Sequence, residues 1–437
     1  MVTNKKRNLG IELYKKAKKI IPGGTMLYSK KAELHSPDHW PTYYKKSKGC
    51  YVWGLDKKKY IDMMFAVGTN TLGYCNQKID KEIISTIKKG NMTSLNNYDE
   101  VKLANVLIKI HPWSEQVKFF RGGGEANSAA IRVARASTNK KNIAFCGYHG
   151  WHDWYLSSNH NNKKNLDKHL MNNLKSYGVP LELKNSCFPF LYNDFKNLKK
   201  IVKEKKIGII IMEVRRNLEP KENFLQKVRL LCNQKNIILI FDECTSGFRE
   251  NLGGLHLSYK VYPDLAMFGK AIGNGYAINA IIGKKKYMKN FEKTFVSSTF
   301  WTERIGSAAA LSTINFMKKN KTYLYLKKQG KKIKSEWKKI ARETGVDIEI
   351  SSLDTIPIFT FKNLNNLRKT YFTQEMLKKG FIASNIVYVS ICHNDKILEK
   401  YFQNLKLVFK KISNLKKKKL SNQLNGRECF SPFARLN

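Results

Sequence analysis

The chain has 437 residues, 42% hydrophobic and 12% aromatic, which suits a folded protein of two domains rather than a disordered one. Its 80 basic and 34 acidic residues give a formal charge of +46, but lysine far outnumbers arginine and runs through nearly every segment, so no specific nucleic-acid recognition is expected, only weak polyanion binding at low salt. No apolar run reaches membrane-spanning length and the charged Met1–Arg7 leads into no apolar signal core, so a cytoplasmic protein without membrane contact is expected.

Leu9 to Ile20 reads as a short helix, broken by Pro22-Gly23-Gly24 and followed by a polar stretch to Gly49. Cys50 to Ala66 alternates like a strand pair around a Gly54-Leu55-Asp56 turn. Apolar strands then alternate with helical patterns. The predicted strands are Val117–Phe120, Ile143–Phe145, Ile207–Met212, Ile237–Phe241 and Asp264–Phe268, and helix-length segments include Glu125–Ser137 and Phe224–Gln234. Near-continuous apolar strands separated by helices imply a parallel sheet covered on both faces. His160 to Asn173, rich in Asn, Lys and His, reads as a solvent loop. Beyond Thr302 long helices take over, with Leu326, Ile333, Trp337 and Ile340 as an apolar stripe at helical spacing. Short strands near Ile356–Phe361 and Phe381–Val389 point to a smaller C-terminal domain. The eight cysteines are scattered, without a CxxC pair or a histidine in ligand spacing, so reduced thiols are expected and neither a disulfide framework nor a metal site.

Lys270 differs from most other lysines, which lie in polar, Lys/Asn-rich stretches. It ends the apolar run Asp264-Leu265-Ala266-Met267-Phe268-Gly269 and opens the small-residue turn Ala271-Ile272-Gly273-Asn274-Gly275. A lysine at the end of a buried strand loses hydration, which favours the neutral amine that Schiff-base chemistry requires. Asp242 closes another apolar strand, and a carboxylate there can keep a pyridine nitrogen protonated. Together they suggest a pyridoxal phosphate enzyme. Phe119 to Asn127 reads as strand, glycine turn and helix start, where the N–H groups of Gly123 and Gly124 can approach a phosphate. Tyr148, after the strand Ile143–Phe145, can stack on a flat ring with His149 supporting it. Each signal has a plainer explanation: a tight turn for the glycines, a helix N-cap for Asp242, a snorkelling side chain for Lys270. Trp151, Trp154 and His152 are read as structural, the tryptophans as core fillers.

In order and together, these blocks resemble the class III aminotransferases, especially the branch like glutamate-1-semialdehyde aminomutase. The resemblance runs from Ile21-Pro22-Gly23-Gly24 through Gly49–Asp56 to the C-terminal segment. Its strongest blocks are Gly123–Arg135, Tyr148–Trp154, Phe241–Arg249, Pro263–Gly275 and Ser297–Arg304. It implies an α/β fold of the PLP-dependent transferase type (aspartate aminotransferase-like, fold type I), with a mostly parallel seven-stranded sheet in a large domain at 66–302. A smaller α+β domain at 303–437 would be joined by residues 1–65. Lys270 would form the internal aldimine and shuttle a proton, and Asp242 would pair with the pyridinium nitrogen. Cys244 would lie against the ring where valine is usual, Tyr148 would stack on it, and Asn217 would lie near its edge. Gly123 and Gly124 would hold the phosphate, and Thr299 would reach the phosphate of the neighbouring subunit of a homodimer. Glu213 also matches the pattern, without an assigned role.

The chain departs from that pattern in places. No hydroxyl residue stands beside the phosphate glycines. The usual Glu-Pro is Glu213-Val214, followed by Arg215-Arg216. The aminomutases' arginine for the substrate carboxylate is replaced by Ser29-Lys30-Lys31, and Ile382–Tyr388 lacks their acidic gating residue. Amino transfer from an amino acid donor, glutamate by expectation, to a carbonyl acceptor is therefore preferred to the aminomutase reaction, with a catalytically idle protein of the same fold as a third reading. Pro180, Phe188-Pro189-Phe190, Tyr192-Asn193-Asp194 and the terminal Cys429–Leu436 are similar to members associated with polysaccharide or other specialised biosynthesis.

Overall fold

The computed structural model describes residues 8–415 and 417–430; Met1–Arg7 and the Ser431–Leu436 part of the terminal stretch lie outside them. The described residues up to Asn76 and from Tyr325 onward form one compact unit, and Gln77–Leu324 form the other. Among the described residues no helix is long and apolar enough to cross a membrane.

The Gln77–Leu324 unit is built on a seven-stranded sheet. Its strands are β1 (Gln116–Phe120), β2 (Asn142–Cys146), β3 (Cys187–Pro189), β4 (Ile207–Met212), β5 (Ile238–Glu243), β6 (Leu265–Phe268) and β7 (Asn279–Gly283). They lie in the order β1-β7-β6-β5-β4-β2-β3. The neighbours from β6 to β3 are all parallel, and only β7 runs against both of its partners. Every residue of β4 and β5 is buried, as strands covered on both faces must be. Helix α1 (Gly123–Thr138) turns a face of Ala126, Ala129, Ala130, Val133 and Ala134 to the core, where small side chains allow close approach. β7 is not among the predicted strands: Asn-Ala-Ile-Ile-Gly is short and follows a glycine-rich turn without a break in pattern.

The stretch 160–173 starts at the end of a short helix, Ser158–Asn161, and is irregular beyond it, but it is not a solvent loop throughout. Leu166 and Leu170 enter the core, and buried His169 accepts the Gly147 N–H at 3.2 Å. Burial holds the His169 pKa down to about 4, so this acceptor stays neutral at neutral pH.

In the other unit the helix Thr322–Thr344 buries the predicted stripe of Leu326, Ile333, Trp337 and Ile340. Tyr44–Lys48, Tyr51–Gly54 and Lys59–Asp62 form an antiparallel sheet, with Phe381–Ile382 added parallel to the last. Ile348–Ser351 pairs with Ile358–Phe361. The strand predicted for Phe381–Val389 stops at Ile382. Beyond it the chain pairs with a different segment: the Val387 and Val389 N–H groups donate to the carbonyls of Pro357 and Thr355, and the Phe359 N–H to that of Asn385, in one antiparallel register, while the Tyr388 N–H donates to the Met63 carbonyl.

Candidate active site

β5 ends in Asp242-Glu243, and its parallel neighbour β6 ends one glycine before Lys270. Asp242 pairs in register with Met267, so the carboxylate and the lysine leave the same edge of the sheet. In open α/β sheets that carboxyl edge is where ligands bind. One turn ties the two groups together. The Cys244 N–H donates to Asp242 Oδ1 at 3.1 Å, and Lys270 Nζ donates to the hydroxyl of the next residue, Thr245, at 2.8 Å. Lys270 has a backbone φ of 47°, a left-handed conformation that residues other than glycine seldom adopt and that clusters at functional sites.

Asp242 is buried, and its Oδ2 accepts from Asn127 Nδ2 at 2.7 Å and from His149 Nδ1 at 2.9 Å. The other ring nitrogen of His149 faces the Cys146 carbonyl at 3.1 Å. The ring is thus held between the Asp242 carboxylate and the backbone of Cys146. His149 therefore supports Asp242 rather than the Tyr148 ring. Burial alone would raise the Asp242 pKa, but the hydrogen bonds and charge of His149, with the donors at Cys244 and Asn127, hold it below the ordinary aspartate range.

Gly123 and Gly124 open α1, and their lack of side chains sets how closely the helix end meets the strand ends. A Cβ on Gly123 would stand 3.2 Å from Cys244 Sγ, and one on Gly124 2.8 Å from the His152 ring. Gly269 is tighter still, its Cβ meeting Asn279 Nδ2 at 2.0 Å. Half-buried Tyr148 meets Tyr155 edge to face at 5.9 Å. Asn217 is half-buried in the loop after β4. Thr299 is exposed, on the turn Thr299–Thr302, between the exposed Phe295 and Phe300. Trp154 fills the core as expected, but Trp151 is 69% exposed and stacks on His152 at 4.4 Å. An anion-favouring helix end, a buried carboxylate, an amine and an aromatic ring suit a flat, phosphate-bearing heterocycle.

Asn127 and Thr245 carry contacts that the amino-acid pattern does not assign. Asn127 leaves a sequence trace, as a polar residue among the alanines of the buried face of α1. Glu243, on the opposite side of β5 from Asp242, is fully buried. It accepts from Ser246 Oγ at 2.9 Å, from the N–H groups of Leu255 and His256 at 2.5 and 3.1 Å, and from His256 Nδ1 at 2.5 Å. Trp113 Nε1 donates to His256 Nε2 at 2.9 Å, which fixes the histidine hydrogen on the side of Glu243. Burial opposes the charged carboxylate, but these donors keep its pKa below the ordinary glutamate range. Glu243→Gln turns an amide N–H₂ toward donors, and a loss of about 2–4 kcal/mol in unfolding free energy is expected, measured by denaturant titration.

A family model described as Aminotransferase class-III matches residues 34–400. Among curated proteins, the 3-aminobutyryl-CoA aminotransferase of Cloacimonas acidaminovorans is 34% identical over 404 residues, covering 89% of this chain and 93% of its own. The glutamate-1-semialdehyde 2,1-aminomutase of Wigglesworthia glossinidia brevipalpis is 32% identical over 438 residues, covering 94% and 99%. Among solved structures, the PLP internal aldimine form of the Sphingopyxis sp. MTA144 FumI protein superposes with a TM-score of 0.84 at 22% identity, over 93% of this chain and 96% of that one. An omega-transaminase from Sphaerobacter thermophilus gives 0.82 at 20% identity, over 93% and 98%.

Proposed function

Because the chain belongs to the class III aminotransferases, we propose that it moves an amino group from an amino acid donor such as glutamate to a carbonyl acceptor, with Lys270 as the reacting amine. The fold is that of the PLP-dependent transferases of fold type I, and the cofactor is pyridoxal 5'-phosphate. Bound, that cofactor supplies an aldehyde and an electron sink. The observation that carries the reading is the placement of Asp242 and Lys270 on adjacent strand ends, joined through Cys244 and Thr245.

Asp242, anionic and held by three donors, keeps a proton on the ring nitrogen. Gly123 and Gly124 present N–H groups to the phosphate. Tyr148 and Cys244 would hold the ring, and Asn217 would lie near it. Lys270 Nζ takes a proton from the substrate Cα and returns it. Thr299 acts on the site of a second subunit, a reading supported by its exposure between two exposed phenylalanines. Thr299→Ala is then expected to weaken cofactor binding about tenfold without splitting the dimer, checked by cofactor titration and sedimentation.

The acceptor is taken to be a modified sugar or a hydroxylated carbonyl compound. The aminomutase reaction is the second reading, favoured by the near full-length match to such relatives. Incubating the loaded protein with a panel of amino donors tests the first reading, and conversion to the aminated cofactor with glutamate is expected. Complete turnover of glutamate 1-semialdehyde to 5-aminolevulinate, with no other amine present, would establish the second instead. No conversion with any donor would point to an idle protein.

A further inference from the structure

We propose that Thr245 is a further catalytic residue, whose hydroxyl holds the Lys270 amine whenever that amine is not covalently engaged. The proposal rests on the aminotransfer reading above. The contact is direct, Nζ to Oγ1 at 2.8 Å, between side chains 25 positions apart in the sequence.

Thr245 is fixed on every side that the chain supplies. It is buried, and its carbonyl accepts Nε of Arg249 at 2.7 Å, with Arg249 itself fully buried. On one side of it Cys244 is tied to Asp242, and on the other Ser246 is tied to Glu243. Glu243 also receives the N–H groups of Leu255 and His256, so one buried carboxylate anchors both ends of the segment. The hydroxyl cannot follow the lysine, so the lysine must return to the hydroxyl. A released lysine otherwise has several rotatable bonds and no preferred direction, and a fixed acceptor removes that freedom.

The proton balance gives the contact its use. Nζ is set free as a neutral amine, accepts the proton that the substrate Cα loses, and becomes an ammonium. The cofactor, when bound, would supply the carbon that takes this proton, which would leave Nζ an amine again. One proton arrives and one leaves. In the ammonium state the bond to Oγ1 is charge-assisted and at its strongest, so Thr245 holds Nζ at the position from which it must deliver.

The test compares Thr245→Val, which keeps the shape, with Thr245→Ser, which keeps the hydroxyl. The valine variant is expected to load cofactor as the wild type does, to lose about 10- to 100-fold in kcat with KM within about threefold, and to show a larger isotope effect with a Cα-deuterated donor. In cofactor-free protein, the Lys270 peptide should be labelled several-fold faster by an amine-reactive reagent at neutral pH. Serine should restore each value. A valine variant that loads cofactor and matches wild type in kcat, isotope effect and labelling overturns the proposal, and so does a change confined to KM. Should valine prevent folding, Thr245→Ala takes its place in the same labelling and isotope measurements: faster labelling with a larger isotope effect supports the proposal, and wild-type values overturn it. A wild-type protein that takes up no cofactor overturns the aminotransfer reading, and this proposal with it.

Discussion

Lys270→Ala is expected to abolish the visible absorbance band of the cofactor-loaded protein and to lower kcat by about four orders of magnitude. The loss combines two functions in one atom, since Nζ is both the covalent partner of the cofactor and the base that moves the proton. The fold should survive. The side chain is only half-buried, its amine donates to Thr245, and the core beneath is formed by Leu265, Ala266, Met267 and Phe268 of β6. Alanine tolerates the 47° backbone φ no better than lysine, so it adds no new strain at this turn. Measuring the spectrum, kcat and melting temperature together separates chemistry from folding. A variant that keeps the wild-type band would remove Lys270 from its assigned role.

Why Lys270 could be found from sequence, and its partners could not, follows from the range of the forces involved. The strands from β2 to β6 that lie at the middle of the sheet are buried on both faces, and that burial writes itself as unbroken apolar runs with sharp ends. A charged residue at such an end is conspicuous, which is how Asp242 and Lys270 stand out. β7 lacks a run long enough to stand apart from its flanking turn, although it is no less buried. The hydrogen bonds of the site leave no periodic trace. Asn127 and Asp242 are 115 positions apart, and His149 and Asp242 are 93 apart, so only the fold brings them together. The same limit explains Trp151, whose neighbours in sequence suggest burial while the chain path leaves it exposed. Local pattern reports how a segment is buried and not what it touches.

Asp242→Asn should lower kcat by about two to three orders of magnitude, because a neutral amide cannot hold a proton on the ring nitrogen as the carboxylate does. The geometry makes the exchange worse than a simple loss of charge. Three donors converge on this carboxylate, from Asn127, His149 and Cys244, and an amide N–H₂ must face at least one of them. A stability loss of about 1–3 kcal/mol should follow. The pH dependence separates charge from packing. Asp242 has a folded-state pKa below its unfolded value, so its contribution to stability is complete above the ordinary aspartate range and is lost as pH falls through the lower folded value. The asparagine variant has no such group to protonate. Its stability deficit relative to wild type should therefore be full at neutral pH and shrink on acidification, as read from denaturant unfolding at a series of pH values. A deficit that grew into the acid range would mean that Asp242 is already neutral in the folded protein, and a neutral acid there could not act as the counter-charge to a pyridinium.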